Sequence, residues 1–254
     1  MNSFLITGTG SGLGAYLYKN LGGISFNRET PLEDIKDEKV DVIIHCAFPT
    51  QKKIDFENAY QYLKDTFFLT QALTQLKYKK FIYISTVDVY PQNGSLHKET
   101  ESIDVTALTT LYSTTKYFCE KIVSEEAPSC LILRCSVLLG LEARVNSLVK
   151  IIKEENPSLT LSKESTFNYI LYSDVLHFIE KALERDLSGL YNVVSNDDVT
   201  LGEIARLFHK KPSFGSFTYK GGGVNNHKAS QVLPSLNRSS KEVIAQFVNT
   251  VENQ

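Results

Sequence analysis

Tyr112 and Lys116 stand four residues apart in Tyr112-Ser113-Thr114-Thr115-Lys116. On a helix that spacing puts a phenol and an ammonium group on one face, about one turn apart. A free phenol titrates near pH ~10, too high for efficient proton exchange at neutrality. A neighbouring ammonium favours the phenolate and brings that pKa toward working pH. The run Ala107 to Glu125, with Leu111, Phe118 and Ile122 as apolar positions, is the helix expected to carry the pair. Ordinary amphipathic helices also contain this spacing, so its weight depends on partners elsewhere in the chain.

Two such partners precede it. Ser85-Thr86-Val87-Asp88 closes the apolar strand Lys80 to Ile84. Thr86 and Asp88, two apart in extended chain, share a face. A hydroxyl at Thr86 can hold a reacting oxygen while Tyr112 moves the proton; Asp88 can act as a base or grip a hydroxyl, or merely cap the turn Pro91 to Gly94. The second partner is Gly8-Thr9-Gly10-Ser11-Gly12-Leu13-Gly14, between the strand Ser3 to Thr7 and a helix Leu13 to Leu21. Strand, glycine-rich turn and helix is the setting in which a dinucleotide pyrophosphate meets backbone N–H groups at a helix N-terminus. Gly8, Gly10, Ser11, Gly12, Leu13 and Gly14 are therefore the expected cofactor contacts, although their G-x-x-x-G-x-G spacing differs from the usual G-x-G-x-x-G.

The elements needed to position these groups are legible in order. Ile24 to Phe26 is a second strand ending in Asn27-Arg28, where a carboxylate would hold the ribose of NAD and an arginine suits the 2′-phosphate of NADP. Asn27 and Arg28 thus favour NADP, with NAD as the alternative. Lys39 to Ala47 reads as a third buried strand whose exit, including Cys46, Ala47 and Phe48, lines the same cleft; His45 reads as a satisfied histidine. A helix from about Asp55 to Leu76 follows. Later come a strand Cys130 to Cys135, helices over 145–155 and 172–185, a strand Leu190 to Val194, and a helix from Thr200, whose T-x-x-E with Glu203 is a capping box. Lys210 to Val224, with Gly215 and Gly221-Gly222-Gly223, reads as a mobile loop. His227, Lys228 and Arg238 are either diphosphate ligands or solvated cations.

Composition narrows the class. A chain of 254 residues with net charge -2 offers no electrostatic case for nucleic acid or an anionic membrane. No apolar run approaches the roughly 20 residues of a membrane span, and the start lacks the pattern of a signal peptide. Four scattered cysteines and five histidines make no ligand pairs, which points to reduced thiols, a cytoplasmic setting and no metal site. A homodimer is compatible with the sequence but not indicated by it.

The chain resembles the extended short-chain dehydrogenase/reductase family, within it the nucleotide-sugar epimerases, dehydratases and 4-keto reductases. The segments carrying the resemblance are Thr7 to Gly14, Asp41 to Ala47, Ile84 to Tyr90, Tyr112 with Lys116 and Glu120, Leu133 to Gly140, Phe167 to Val175, and Leu190 to Val193. The resemblance implies an α/β fold: a Rossmann-like doubly wound parallel sheet (1–140 plus 170–195) with a small C-terminal substrate lobe (141–169 plus 196–254). It places catalysis on Thr86, Tyr112 and Lys116, with Lys116 also orienting the cofactor ribose, and implies a sugar-nucleotide substrate.

Departures bear on the reaction. Tyr62 and Asp65 replace an asparagine and a glycine usual in the long helix, Val137 a substrate-binding asparagine, Leu139 a tyrosine, and Pro91 a glycine. Dehydratases of the family place an acid and a base in the two positions after the catalytic threonine; here these are Val87 and Asp88, and valine moves no proton. The expectation is net reduction of a keto sugar nucleotide, with a 4-epimerase as runner-up. A non-catalytic NADP-sensing regulator is the reading from another class, and it has no need of all three catalytic groups.

Overall fold

A computed structural model describes residues 2–49, 56–221 and 223–252. Six parallel strands form its central sheet: β1 (Phe4–Thr7), β2 (Ile24–Phe26), β3 (Val42–His45), β4 (Lys80–Thr86), β5 (Cys130–Cys135) and β9 (Gly189–Val193), in the spatial order β2-β1-β3-β4-β5-β9. Alternating side chains bury both faces. Phe4, Ile6, Val42, Ile44, Ile82, Ile84, Leu131 and Leu133 enter one core, and Leu5, Ile43, Phe81, Tyr83 and Ile132 enter the other. A strand apolar on both sides must be covered on both sides, and full burial of each such side chain stabilises by about 1.5–3 kcal/mol. The helices α1 (Gly12–Leu21) and α5 (Tyr172–Glu184) cover the first face, and α2 (Phe56–Thr74) and α3 (Leu111–Glu126) the second. This is the doubly wound α/β arrangement expected.

The order reverses direction between β1 and β3, a switch point beyond whose carboxyl ends ligands bind in such sheets. Local packing fixes the loop there. Gly8 has φ +74°, and a Cβ on it would lie 2.9 Å from the Ala47 nitrogen; a Cβ on Gly14 would lie 2.4 Å from the Gly8 carbonyl oxygen. A side chain at Gly8 would collide with the exit of β3, and one at Gly14 would push α1 away from the end of β1.

A third core lies beyond the carboxyl ends of the sheet. It joins Leu148, Val149 and Ile151 of α4 (Ser147–Lys153), Tyr169 and Leu171 of β8 (Tyr169–Leu171), Leu201 and Ile204 of α6 (Leu201–Leu207), and Val243, Ile244 and Phe247 of α8 (Ser240–Glu252). Short pairings tie it together: β6 (Val137–Leu139) runs parallel to β8, and β7 (Thr166–Phe167) antiparallel to β10 (Val199–Thr200). These pieces, at most three residues long, carry too little periodicity to show in the sequence. Thr200 does cap α6, its hydroxyl accepting from the Glu203 N–H at 3.0 Å while the Glu203 carboxylate accepts from the Thr200 N–H at 2.9 Å.

Two expectations change. The helix bearing Tyr112 starts at Leu111, because the Thr110 hydroxyl caps it by accepting from the Ser113 N–H at 3.0 Å, and Val105–Ala107 forms a separate 3-10 turn. The stretch expected to be a mobile loop, Lys210 to Val224, instead runs laced along the third core over its described residues. Ser213, Phe217 and Lys220 bridge to Ser158, Leu161 and Thr166, and the Ser162 N–H donates to the Phe217 carbonyl at 2.7 Å. Gly215 serves close approach there: a Cβ would meet the Thr160 carbonyl oxygen at 2.1 Å. Gly222 lies outside the described residues.

Candidate active site

Thr86 ends β4 and begins a 3-10 turn, Val87–Val89, which it caps by accepting from the Asp88 N–H at 3.2 Å. Tyr112 lies in the first turn of α3 and reaches toward this strand end. Tyr112 is 38% exposed as a whole, yet its hydroxyl meets Thr86. Burial, then the Asp88 charge, raises the Tyr112 pKa above the usual phenol value, and a hydrogen bond with Thr86 opposes the rise only in part. The phenol therefore holds its proton at neutral pH.

Lys116 lies one turn further along α3. Its ammonium is turned inward, 4% exposed, donating to the Ile84 carbonyl at 2.8 Å and lying 4.2 Å from the Phe48 ring centre and 4.9 Å from that of Tyr83. Burial lowers its own pKa to about 8. Phe48 meets Lys116 on one side and the Tyr112 ring edge-on at 5.1 Å on the other. An aromatic cover for the lysine was not legible in the sequence beyond Phe48's place at a strand exit.

Neighbouring groups hold this frame. Glu120, one turn beyond Lys116, takes two hydrogen bonds from Arg134 Nε at 3.0 and 3.3 Å and one from its Nη2 at 2.6 Å, and one from the Ser85 hydroxyl at 2.5 Å. α3, β4 and β5 are thus pinned together beside Thr86 by a buried ion pair. His45 is structural, as expected. The Thr7 hydroxyl accepts from the N–H groups of Cys46 and Ala47 at 3.1 and 2.9 Å, so its own proton goes to His45 Nδ1 at 2.8 Å. His45 Nε2–H then donates to Thr70 at 3.2 Å. Burial, followed by the Lys116 charge, lowers the histidine pKa to about 3.

The glycine loop faces this group across the switch point. Leu13 is buried, so only its backbone can meet a ligand; a Cβ on Gly10 would have open space around it; and the Ser11 side chain makes no capping bond to α1. Among the described contacts, no side chain caps the first N–H groups of that helix. Cys46 and Ala47 pass beneath Gly8, with burial raising the Cys46 thiol to about 12. The Thr9 hydroxyl meets Ser25 at 2.6 Å, which ties the loop to β2. Asn27 accepts from the Glu29 N–H at 2.8 Å, and Arg28 is exposed in the turn that follows β2.

The comparisons agree with this architecture. The model of the NAD dependent epimerase/dehydratase family matches residues 9–193. The chain belongs to that family. A curated relative, the dTDP-D-glucose 4,6-dehydratase of Dictyostelium discoideum, is 22% identical over 199 residues, covering 69% of this chain and 46% of the relative. The chain spans about half the length of the curated relatives it matches. Among solved structures, the NAD-dependent NDP-hexosamine 5,6-dehydratase TunA superposes with TM-score 0.81 at 16% identity, covering 100% of this chain and 99% of that one. The dTDP-4-dehydrorhamnose reductase of Bacillus anthracis, in complex with NADP, gives TM-score 0.80 at 18% identity, covering 98% and 99%. At those identities the likeness is one of fold.

The C-terminal cations each have protein partners. Arg238 is bound to Asp174 through two contacts at 2.7 and 2.8 Å, and Asp174 also caps α5 by accepting from the Leu171 N–H at 2.8 Å. Lys228 donates to the Leu190 carbonyl at 2.7 Å and lies 4.0 Å from the Tyr191 ring centre. His227 Nε2 pairs with Gln231 at 3.0 Å. One contact had no signal in the sequence: the Tyr219 hydroxyl donates to the Asp88 carboxylate, from a residue 131 positions away. Among the described residues, no cluster of His, Cys, Asp and Glu is placed to hold a metal ion, and no helix is long and apolar enough to cross a membrane.

Proposed function

We propose that the protein is an NAD(P)-dependent oxidoreductase of the extended short-chain type that reduces the keto group of a nucleotide sugar, with NADP as cofactor and NAD as the alternative. The observation that carries this reading is the placement of Tyr112 in the first turn of α3, with Lys116 one turn further on and Thr86 at the end of β4. A reductase must give a proton to the oxygen that becomes a hydroxyl, and a phenol that keeps its proton at neutral pH is loaded for that direction. The residues fit a dinucleotide: Gly8 to Gly14 at the head of α1 meet its pyrophosphate, and Asn27 and Arg28 meet the adenosine ribose and its phosphate. When bound, the nicotinamide supplies the hydride.

The chain's own groups do the rest. Thr86 hydrogen-bonds the carbonyl oxygen and orients it toward Tyr112. Tyr112 donates its proton to that oxygen as negative charge develops. Lys116 contributes a fixed positive charge below the site, charged at neutral pH because its pKa of about 8 lies above it. Glu120 and Arg134 keep α3 and β4 in register so that Thr86 and Tyr112 stay in reach.

NADPH consumption with a panel of nucleoside-diphosphate 4-keto hexoses tests the reading. Equimolar loss of NADPH and ketone supports it. Purified protein that instead carries tightly bound NAD, and interconverts sugars without net consumption, is a 4-epimerase.

A further inference from the structure

Tyr172 opens α5, on the same face of the sheet as α1, and is 6% exposed. Two glycines make room for its ring. A Cβ on Gly140, just after β6, would lie 2.2 Å from a ring carbon, so the ring rests against bare backbone there. At the other end, a Cβ on Gly12 would lie 3.3 Å from the Tyr172 hydroxyl. Gly12 is the first residue of α1 and has φ +62°. Tyr16, one helical turn further on, holds the ring from the side with centroids 5.6 Å apart. The phenol thus runs from the exit of β6 to the glycine loop and ends at the head of α1.

A buried tyrosine hydroxyl normally finds a hydrogen-bond partner. Among the described residues, none bonds to that of Tyr172. Nor is it sealed in: the enclosed side-chain atoms left without a partner belong to Tyr83, Arg134, Ser136 and Arg238. The hydroxyl therefore opens outward at the loop. The first N–H groups of α1 point out of that helix end, no side chain caps them, and they carry the positive end of the helix dipole. Burial, opposed by the Arg144 charge, pushes the Tyr172 pKa up to about 12, so the group is a neutral O–H with a proton to donate. Arg144 and Glu142, both exposed in the loop after Gly140, act on it with opposite signs.

From this geometry, and resting on the reading that a dinucleotide lies on the glycine loop, we infer that Tyr172 is a ligand of the cofactor's diphosphate. Its hydroxyl donates to a phosphate oxygen from the α5 side, while backbone N–H groups of the loop donate from the α1 side. Three features are explained together: an unpartnered phenol in a buried position, a glycine at each end of its ring, and a helix start without a side-chain cap. The ring is fixed by packing, so the donor is in place before the anion arrives and little ordering is lost on binding. A sugar nucleotide brings a second diphosphate to the cleft; the position of the hydroxyl at Gly12 assigns it to the dinucleotide. A tyrosine serving only the core would be replaced without loss by phenylalanine, which keeps every ring contact and omits a hydroxyl that has no partner in the fold. Binding and stability should therefore respond differently to removal of that hydroxyl.

The test compares Tyr172→Phe with the parent as full chains. Isothermal titration gives Kd for NADPH, NADH, ADP-ribose and adenosine 2′-phosphate, and for UDP and dTDP as substrate-side diphosphates. Calorimetric melts give Tm without ligand. The variant should melt at the parent's temperature or above it. It should bind NADPH, NADH and ADP-ribose about 10–100-fold more weakly, the worth of one hydrogen bond to a charged group. All three share the lost contact, so the ratio of NADPH to NADH affinity should stay as it is in the parent. Adenosine 2′-phosphate has no diphosphate and should bind both proteins equally, as should UDP and dTDP. A variant that binds the dinucleotides as tightly as the parent overturns the inference and leaves the reductase reading intact. A variant that loses affinity and melts several degrees lower overturns it too, because the hydroxyl then serves the fold. A loss confined to UDP and dTDP does the same by moving the contact to the substrate. A parent that binds neither NADPH nor NADH sinks the inference and the dinucleotide reading together.

Discussion

Lys116→Met should separate stability from activity. Lys116 is 4% exposed, and burial depresses its pKa from 10.5 to about 8. At 1.36 kcal/mol per pH unit, that gap corresponds to roughly 3 kcal/mol for keeping the ammonium charged inside the fold. Methionine has similar length and no charge, so it removes this cost. It also leaves the Ile84 carbonyl without its donor, a loss of about 1–3 kcal/mol, together with the contacts to Phe48 and Tyr83. At pH 7 the variant should therefore match the parent or exceed it by about 2 kcal/mol at most, up to roughly 8 °C in Tm for a chain of this size.

The sign changes with pH. Between about 8 and 10.5 the unfolded lysine holds a proton that the folded one has released, so the parent gains stability as pH rises. By pH 10 it should recover roughly 2–3 kcal/mol relative to the methionine variant. Urea melts of both proteins at pH 7 and pH 10 measure the difference, in which the other titrating groups cancel. A variant destabilised equally at both pH values would refute the argument, because the buried lysine would then carry no cost of charge. NADPH turnover should fall in the variant even where stability rises, the pattern expected where function requires a strained residue.

Tyr112→Phe should retain NADPH binding by fluorescence titration and lose about 10²–10⁴-fold in turnover, since only the proton-moving hydroxyl is deleted; undiminished turnover would remove Tyr112 from the mechanism. Arg28→Ala should narrow the preference for NADPH over NADH by roughly tenfold or more, the worth of one charge-assisted contact, and equal preference ratios in the two proteins would place the guanidinium away from the phosphate. Glu120→Ala strands the buried Arg134 guanidinium, so unfolding should become easier by about 3–5 kcal/mol and Tm should drop by roughly 6–20 °C in calorimetry; a change within about 1 kcal/mol would show that the pair is not what pins α3 to β5.

Much of the scaffold was legible because its signals are local. Each sheet strand is a short apolar run ended by turn residues, and the glycine loop follows the first of them directly. Thr200 and Glu203 announced their helix because a capping box lies within four residues of chain. Thr86, Tyr112 and Lys116 could be picked out for the same reason: two share a helix face and one ends a strand. Elements of two or three residues, such as β7 and β10, gave no period to read, and the glycines of Lys210 to Val224 suggested freedom where Gly215 serves close packing.

The sequence by itself determined the doubly wound sheet, the order of its elements and which hydroxyls, amines and carboxylates stand at its carboxyl ends, because strand and helix periods and turn chemistry act over a few residues. Only the tertiary structure decided what those groups are. Lys116 points inward to a carbonyl and an aromatic ring, burial and Asp88 raise the Tyr112 pKa against the hydrogen bond with Thr86, Arg238 is bound to Asp174, and Asp88 meets Tyr219 from a segment 131 residues away. A residue's type fixes what it can donate or accept. Its pKa and its partner depend on dielectric surroundings and on charges brought close by the fold, and neither is a property of neighbours along the chain.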